Sequence, residues 1–251
     1  MARYDFRTPR LFLDAPLAEG VSLPLVKGQV NYLCNVLRLS PGAPVLAFNG
    51  RDGEWRAALE RSGKRGAVLV PHERTRPQTP LGDLHYLFAP LKHARLDYMV
   101  QKAVELGVSL LQPVMTRHAQ VSRVNLDRMR ANAIEAAEQC GVLTIPAIAP
   151  PVGFAQMLTE LAVARVLIFC DEDAELRDPV VALSEIRRKP GPVPPLALLV
   201  GPEGGFADEE RTALLRRSNM VRLALGPRIL RADTAAVAAL ALIQAVLGDW
   251  R

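Results

Sequence analysis

Two turns hold the residues best suited to chemistry. Gly201-Pro202-Glu203-Gly204-Gly205 follows the apolar run of residues 196–200, and Gly226-Pro227-Arg228-Ile229-Leu230-Arg231 follows residues 221–225. The three glycines of the first turn let backbone approach a ligand with no Cβ in the way. A Walker-type phosphate cradle needs Lys-Ser/Thr after its glycines, whereas Phe206-Ala207 follows here. A dinucleotide fingerprint needs another glycine spacing, and the Glu203 carboxylate repels a pyrophosphate. The turn therefore favours a ligand that is neutral or cationic beside it. The second turn brings two arginines to a helix start that Asp233 or Thr234 is expected to cap, with first-turn amides facing the same crevice.

Both turns need elements that hold them. Residues 196–200 and 221–225 are short and rich in leucine and valine, which predicts central strands of a parallel sheet covered on both faces. Ligands of such sheets gather beyond the carboxyl ends of the strands, where both Gly-Pro turns fall. Residues 85–89, 110–115 and 166–170 read as further strands. Leu96, Met99, Val100, Ala103 and Val104 recur at helical spacing before a stop at Gly107, giving the helix of a βαβ unit. Residues 126–139 form another helix, stopped by Gly141, with Glu135, Glu138 and Gln139 on one face as a solvated stripe or a site. The cluster Asp171-Glu172-Asp173-Ala174-Glu175 reads as a solvated loop in preference to a Mg²⁺ site. Residues 233–247 are apolar nearly all round, so that helix needs cover from its own sheet and from another subunit.

Residues 1–73 alternate short apolar runs with turns, and Asn49-Gly50 and Asp52-Gly53 signal a hairpin, so this part is predicted to be a small β-rich domain. Within it residues 31–39 read as a helix with Leu33, Val36 and Leu37 inward. Residues 71–80, with three prolines, are the expected linker, dividing the chain into domains 1–73 and 74–251. The net charge of +5 is uneven: residues 1–75 hold 11 Lys+Arg against 7 Asp+Glu, the remainder 20 against 19. A basic first domain suits a polyanion, with Arg3, Arg7, Arg10 and Arg38 as candidate phosphate contacts. Three scattered cysteines and four histidines form no metal-ligand pattern and imply no disulfide framework. No segment is long and apolar enough for a bilayer, which predicts a soluble cytoplasmic protein without membrane partners.

The pairing of LLVGPEGGF with LALGPRILRADTA resembles the RsmE family of SPOUT-class RNA methyltransferases, as do NVLRLSPGAPVLAFNGRDGEW, LDYMVQKAVELGVSLLQPVMTRH and AIEAAEQC. The resemblance implies an α/β fold: a SPOUT-type trefoil-knotted parallel-sheet domain preceded by a small β-rich PUA-like domain, assembled as a homodimer. It implies S-adenosylmethionine as methyl donor, no metal, and N3 of a uridine in small-subunit ribosomal RNA, free or in the assembled small subunit, as acceptor. The residues that match the family's cofactor loops are Val200, Gly201, Glu203, Gly204, Gly205, Leu225, Gly226, Ile229, Leu230 and Arg231. Uracil N3 holds a proton, so the anion must be favoured and aimed. Arg231, or Arg228, could donate to the carbonyl where charge accumulates, and Arg228 is also a candidate RNA contact. Glu203 could accept the proton or could simply be a capping or turn carboxylate ahead of the helix expected over residues 208–217. A related enzyme acting on transfer RNA or on a ribose hydroxyl, and a non-catalytic RNA-binding assembly factor, stay open beside this reading.

Overall fold

The structure is a computed structural model that describes residues 5, 7–64, 66–80, 82–174 and 178–250. Contacts divide the chain into two units, residues 1–80 with 137–145, and residues 81–136 with 146–251.

In the first unit β1 (Arg10–Phe12), β2 (Leu23–Pro24), β3 (Pro44–Phe48), β4 (Glu54–Ser62) and β5 (Gly66–Arg76) form one sheet in the order β1-β3-β4-β5-β2. β1 lies parallel to β3, and the other pairings are antiparallel. The two Gly signals do connect β3 to β4: Gly50 and Gly53 have φ of 82° and 85°, and the buried Asn49 amide donates to Asp52 Oδ2 and Ala15 O. Leu33, Val45, Ala47, Ala57 and Leu69 form the centre of the core.

Two expectations fail here for identifiable reasons. The helix expected over residues 31–39 begins earlier and winds wider: α1 (Lys27–Val30) runs into a π-helical stretch, Asn31–Val36, where the Leu37 N–H donates to Tyr32 O at 2.9 Å. The i→i+5 winding rotates side chains out of α-helical phase, so Leu33 is buried while Val36 and Leu37 are exposed. The stretch expected to be a linker is strand as far as Arg76. Pro71 pairs with Ala57, Glu73 pairs with Arg56, and His72 bulges between them, which lets a strand carry a residue with no N–H.

In the second unit β6 (Leu84–Phe88), α2 (His93–Glu105), β7 (Leu110–Met115), α3 (Leu126–Cys140), β8 (Ala147–Ile148), β9 (Val152–Gly153), α4 (Phe154–Glu160), β10 (Val166–Cys170), α5 (Pro179–Arg187), β11 (Leu196–Val200), α6 (Asp208–Leu215), β12 (Met220–Leu223) and α7 (Ala232–Val246) follow in turn, the last turn of α3 belonging to the first unit. The sheet order is β12-β10-β11-β6-β7-β8, with β9 also on β7, and every pairing is parallel. All five residues of β11 are buried, as a strand covered on both faces requires. On one face Leu87, Leu167, Phe169, Ala197 and Leu199 meet Phe154 and Met157 of α4 and Leu214 of α6. α7 packs on β11, α2 and α5. The helical stripe of α2 is buried throughout, and Gly107 ends the helix at φ 74°.

The second strand of the motif pair is not central. β12 lies at the sheet edge, with β10 between it and β11. Only Leu223 of its four residues is buried, and the edge position accommodates Arg222, whose guanidinium reaches Asp171. Among the described residues no helix is long and apolar enough to cross a membrane.

Candidate active site

Because β10, β11 and β12 are parallel neighbours, the loops that leave their carboxyl ends converge. They enclose a cavity of 350 Å³ within the second unit, lined from β10 by Asp171, Glu172 and Asp173, from β11 by Gly201, Glu203 and Gly205, and from β12 by Leu225, Ile229 and Leu230. Val200, Gly226 and Arg228 also line it, and Ala232 and Ala235 bring in the first turn of α7. The volume lies in the ~300–1,000 Å³ range of small-ligand sites.

The glycines differ in what they do. A Cβ on Gly201 would come 2.5 Å from Phe206 Cε2, so that turn lies directly on an aromatic ring which itself packs edge-on against Phe169 at 5.1 Å. Gly205 has φ 70°, and a Cβ there would lie 3.2 Å from Glu172 Oε1, bringing the β11 turn against the β10 loop. Gly204 is not among the lining residues; a Cβ on it would meet the His118 side chain at ordinary distances of 3.5 Å (Cβ) and 3.9 Å (Cγ).

The acidic loop after β10 is built, not merely solvated. Asp171 is buried, and its carboxylate accepts from Arg222 Nε at 2.7 Å, from Arg211 Nη2 and Nε at 3.2 and 3.3 Å, and from the Asp173 N–H at 3.2 Å. Arg222 Nη2 also donates to Asp173 O at 2.7 Å. One carboxylate thus ties β12 and α6 to the β10 loop, and the bond to Asp171 holds the Arg211 guanidinium above its usual range. Glu203 on the β11 turn pairs with Arg95 of α2 and accepts from Gln120 Nε2 at 3.3 Å. Its neighbour Gly205 offers its carbonyl to His118 Nδ1 at 3.2 Å. Glu203 therefore does not cap α6; the Glu210 side chain accepts from the Ala207 N–H instead. Glu172 has no hydrogen bond or ion pair among the described residues, and among them no His, Cys, Asp and Glu cluster could hold a metal ion.

Arg231 stands outside the cavity lining, at the N-cap of α7, exposed and without a side-chain hydrogen bond or ion pair among the described residues. Neither Asp233 nor Thr234 caps α7: the helix begins one residue earlier than the pattern suggested, and Asp233 Oδ1 accepts from the Thr234 N–H inside the first turn. Ile229 is 89% exposed at the cavity mouth.

The candidate phosphate contacts separate as well. Arg3 lies outside the described residues. Arg7 is exposed, and Arg38 is exposed with φ 54°. Arg10 is turned inward: Nε donates to Glu54 Oε2 at 2.9 Å, Nη1 to the carbonyls of Ala137 and Glu138, and Nη2 to Val142 O at 3.1 Å, with its guanidinium 4.5 Å from the Phe48 ring centroid. All three guanidinium nitrogens of Arg10 donate within the first unit, so it is a structural residue. Asp171 shows in the sequence only as part of an acidic cluster, and its arginines, Arg95, His118 and Gln120 had no local signal, because the partners lie 40 to 108 residues apart.

The family described as RNA methyltransferase domain matches residues 77–244, and that described as RNA methyltransferase PUA domain matches residues 27–71. The chain is 30% identical over 229 residues to ribosomal RNA small subunit methyltransferase E of Synechocystis, covering 90% of this chain and 74% of that protein. It is 29% identical over 236 residues to the protein of the same name from Rickettsia conorii, 94% of each. Among solved structures it is similar to a ribosomal RNA small subunit methyltransferase E from Neisseria gonorrhoeae bound to S-adenosyl methionine, at 27% identity and a TM-score of 0.83, covering 98% of this chain and 100% of that one.

Proposed function

The chain belongs to the RNA methyltransferase family, and from that premise we propose that it methylates N3 of a uridine in small-subunit ribosomal RNA, using S-adenosylmethionine. The observation that carries the reading is the convergence of three loops, from adjacent parallel strands, on one ligand-sized cavity. The residues around it fit this donor: glycine turns allow close backbone approach, Leu225, Leu230 and Ala235 give an apolar wall for an adenine, and Glu172, without an ion pair among the described residues, gives negative charge near a cationic centre. When bound, the donor supplies an electrophilic methyl group.

In this reading Val200, Gly201, Glu203, Gly205, Leu225, Gly226, Ile229 and Leu230 hold the donor, with Gly204 and Arg231 next to them in the chain completing the two turns. The chain's remaining task is to make the acceptor nucleophilic. Arg231, exposed at the N-cap of α7 and without an ion pair among the described residues, donates to the uracil carbonyl on which charge accumulates. Glu203 accepts the N3 proton, oriented for it by Arg95 and Gln120. Arg7, Arg38 and Arg228 hold phosphates, with residues 1–73 acting as the RNA-binding domain and 74–251 as the transferase. The proposal extends to a trefoil knot in the second domain and to a cytosolic homodimer covering the half-buried apolar side of α7, where Val237, Ala238, Ala241 and Leu242 lie.

Mass spectrometry of ribosomal RNA from a deletion strain, with and without the gene restored, tests the reaction. One uridine of the small-subunit RNA loses its N3 methyl group on deletion and regains it on complementation. An unchanged small-subunit RNA, or a methyl group lost from another RNA, overturns the assignment.

A further inference from the structure

The first unit contains its own cavity, of 460 Å³, which no step of the transfer uses. Its floor is apolar: Leu46 is 2% exposed, and Pro9, Tyr32 and Leu37 line the space beside it. Around that floor stand five arginines and four carboxylates, and their pairing decides what the cavity can take. Arg10 and Arg76 both bond Glu54, at 2.9 and 3.0 Å, and donate to backbone carbonyls of residues 137–142, so they form the wall and are not free to bind.

Three of the carboxylates are equally committed. Glu54 is shared by those two arginines and Thr75, Asp5 accepts from the Thr8 hydroxyl and the N–H groups of Arg7 and Thr8, and Glu138 accepts from the Phe12 N–H. The other three arginines are available. Arg7 and Arg74 have no side-chain hydrogen bond or ion pair among the described residues, and both are exposed. Arg56 lies a loose 3.5 Å from Glu73, the two side chains being 40% and 60% exposed, and its Nε is sealed from water without a partner. The opening thus presents three guanidiniums against one exposed carboxylate, above a floor carrying an aromatic ring.

We propose that this cavity is a nucleotide subsite: it takes one unstacked nucleotide of the RNA strand, with its base over Tyr32 and Leu37 and its flanking phosphates on Arg7, Arg56 and Arg74. Single-stranded RNA is recognised by laying splayed bases on aromatic or guanidinium planes while cations hold the backbone. A planar guanidinium satisfies a phosphate with two parallel donors. A paired duplex is too wide for a recess of this size, whereas a single nucleotide fits. The inference rests on the reading that the chain acts on RNA, and it adds a second point of hold far along the sequence from the loops around the donor.

The test uses the full chain and fluorescence anisotropy with a fluorescein-labelled single-stranded oligoribonucleotide. The double variant Arg56→Ala with Arg74→Ala binds at least about tenfold more weakly. Its log affinity against log salt flattens by about 1.4, from the ~0.7 lost per single-strand phosphate contact. Tyr32→Leu weakens binding several-fold without altering that slope, because it removes a stacking plane and no charge. The control Arg61→Ala, exposed on β4 outside the cavity, changes neither quantity.

Unchanged binding by the double variant, or an equal loss in the control, overturns the subsite. So does a nucleoside monophosphate that saturates the cavity and is not displaced by the oligoribonucleotide, which would make it a small-molecule site. The single variant Arg74→Glu, at an exposed position, repeats the test should the double variant melt early. If the wild-type chain binds no RNA, the functional reading itself fails; if it binds RNA and the variants bind as well, only the subsite does.

Discussion

Asp171→Asn is the most informative single change, because one carboxylate joins three elements beneath the candidate donor site. The substitution keeps the shape and removes the charge, leaving Arg211 and Arg222 facing an amide. Stranding the partner of a buried ion pair costs ~3–5 kcal/mol. Here the arginine side chains are 29% and 33% exposed and regain water, so the cost falls to about 1–3 kcal/mol. At ~2–4 °C per kcal/mol for a chain of this size, Tm drops by about 2–12 °C in calorimetry. The β10 loop also forms one wall of the cavity, so loosening it weakens S-adenosylmethionine about tenfold in titration calorimetry, equivalent to ~1.4 kcal/mol. A double-mutant cycle with Arg222→Ala shows coupling above about 0.5 kcal/mol. Should Asp171→Asn match the wild type in both Tm and donor affinity, the carboxylate is not what holds the three loops together.

Arg231→Ala lowers kcat on purified small subunits by about 10²–10³-fold, the loss typical of one donor to a developing oxyanion, and leaves Tm unchanged because the side chain is exposed and has no ion pair among the described residues. Full methylation by this variant refutes its role. Gly205→Ala costs about 1–2 kcal/mol through its φ of 70° and weakens donor binding, whereas Gly204→Ala is tolerated in stability; thermal melts of the pair distinguish a strained turn from a roomy one. His85 has its pKa lowered from 6.5 by desolvation and by Arg165, which outweigh Asp83 at 3.4 Å. The unfolded imidazole therefore takes a proton first as pH falls below about 6.5, and stability drops through that window until the folded ring also titrates. His85→Gln makes Tm less sensitive to pH there, and an unaltered slope contradicts the shift.

The strands and stripes of the second unit were legible because burial on both faces leaves runs such as residues 196–200 without a polar residue, and because α2 keeps an unbroken 3.6-residue period. Gly-Pro marked the carboxyl ends where the loops meet. What sequence could not show was the consequence of long-range pairing. Arg222 falls in a run that reads as a central strand, and its charge finds a place only once that strand is at the edge with Asp171, 51 positions earlier, beside it. Arg10 resembled its exposed neighbours in type, yet its donors meet carbonyls 127 and more residues away. Local periodicity also misled at Val36 and Leu37, since nothing in their spacing distinguishes a π-wound turn from an α-helical one.

The fasteners on Arg10 bear on the order in which the polypeptide leaves the ribosome. Ala137, Glu138 and Val142 supply acceptors to Arg10, Gly141 to Arg76, and Thr144 to Gln78, all inside the first unit. Translation must therefore pass the entire stretch between before that amino-terminal body acquires its last strap. A nascent chain halted near residue 80 would hold a half-finished domain whose inward-facing guanidiniums await acceptors not yet made. Its completion is tied to synthesis of the helix that ends at Cys140, so the amino-terminal part is not an independently closing module but one sealed late, from downstream.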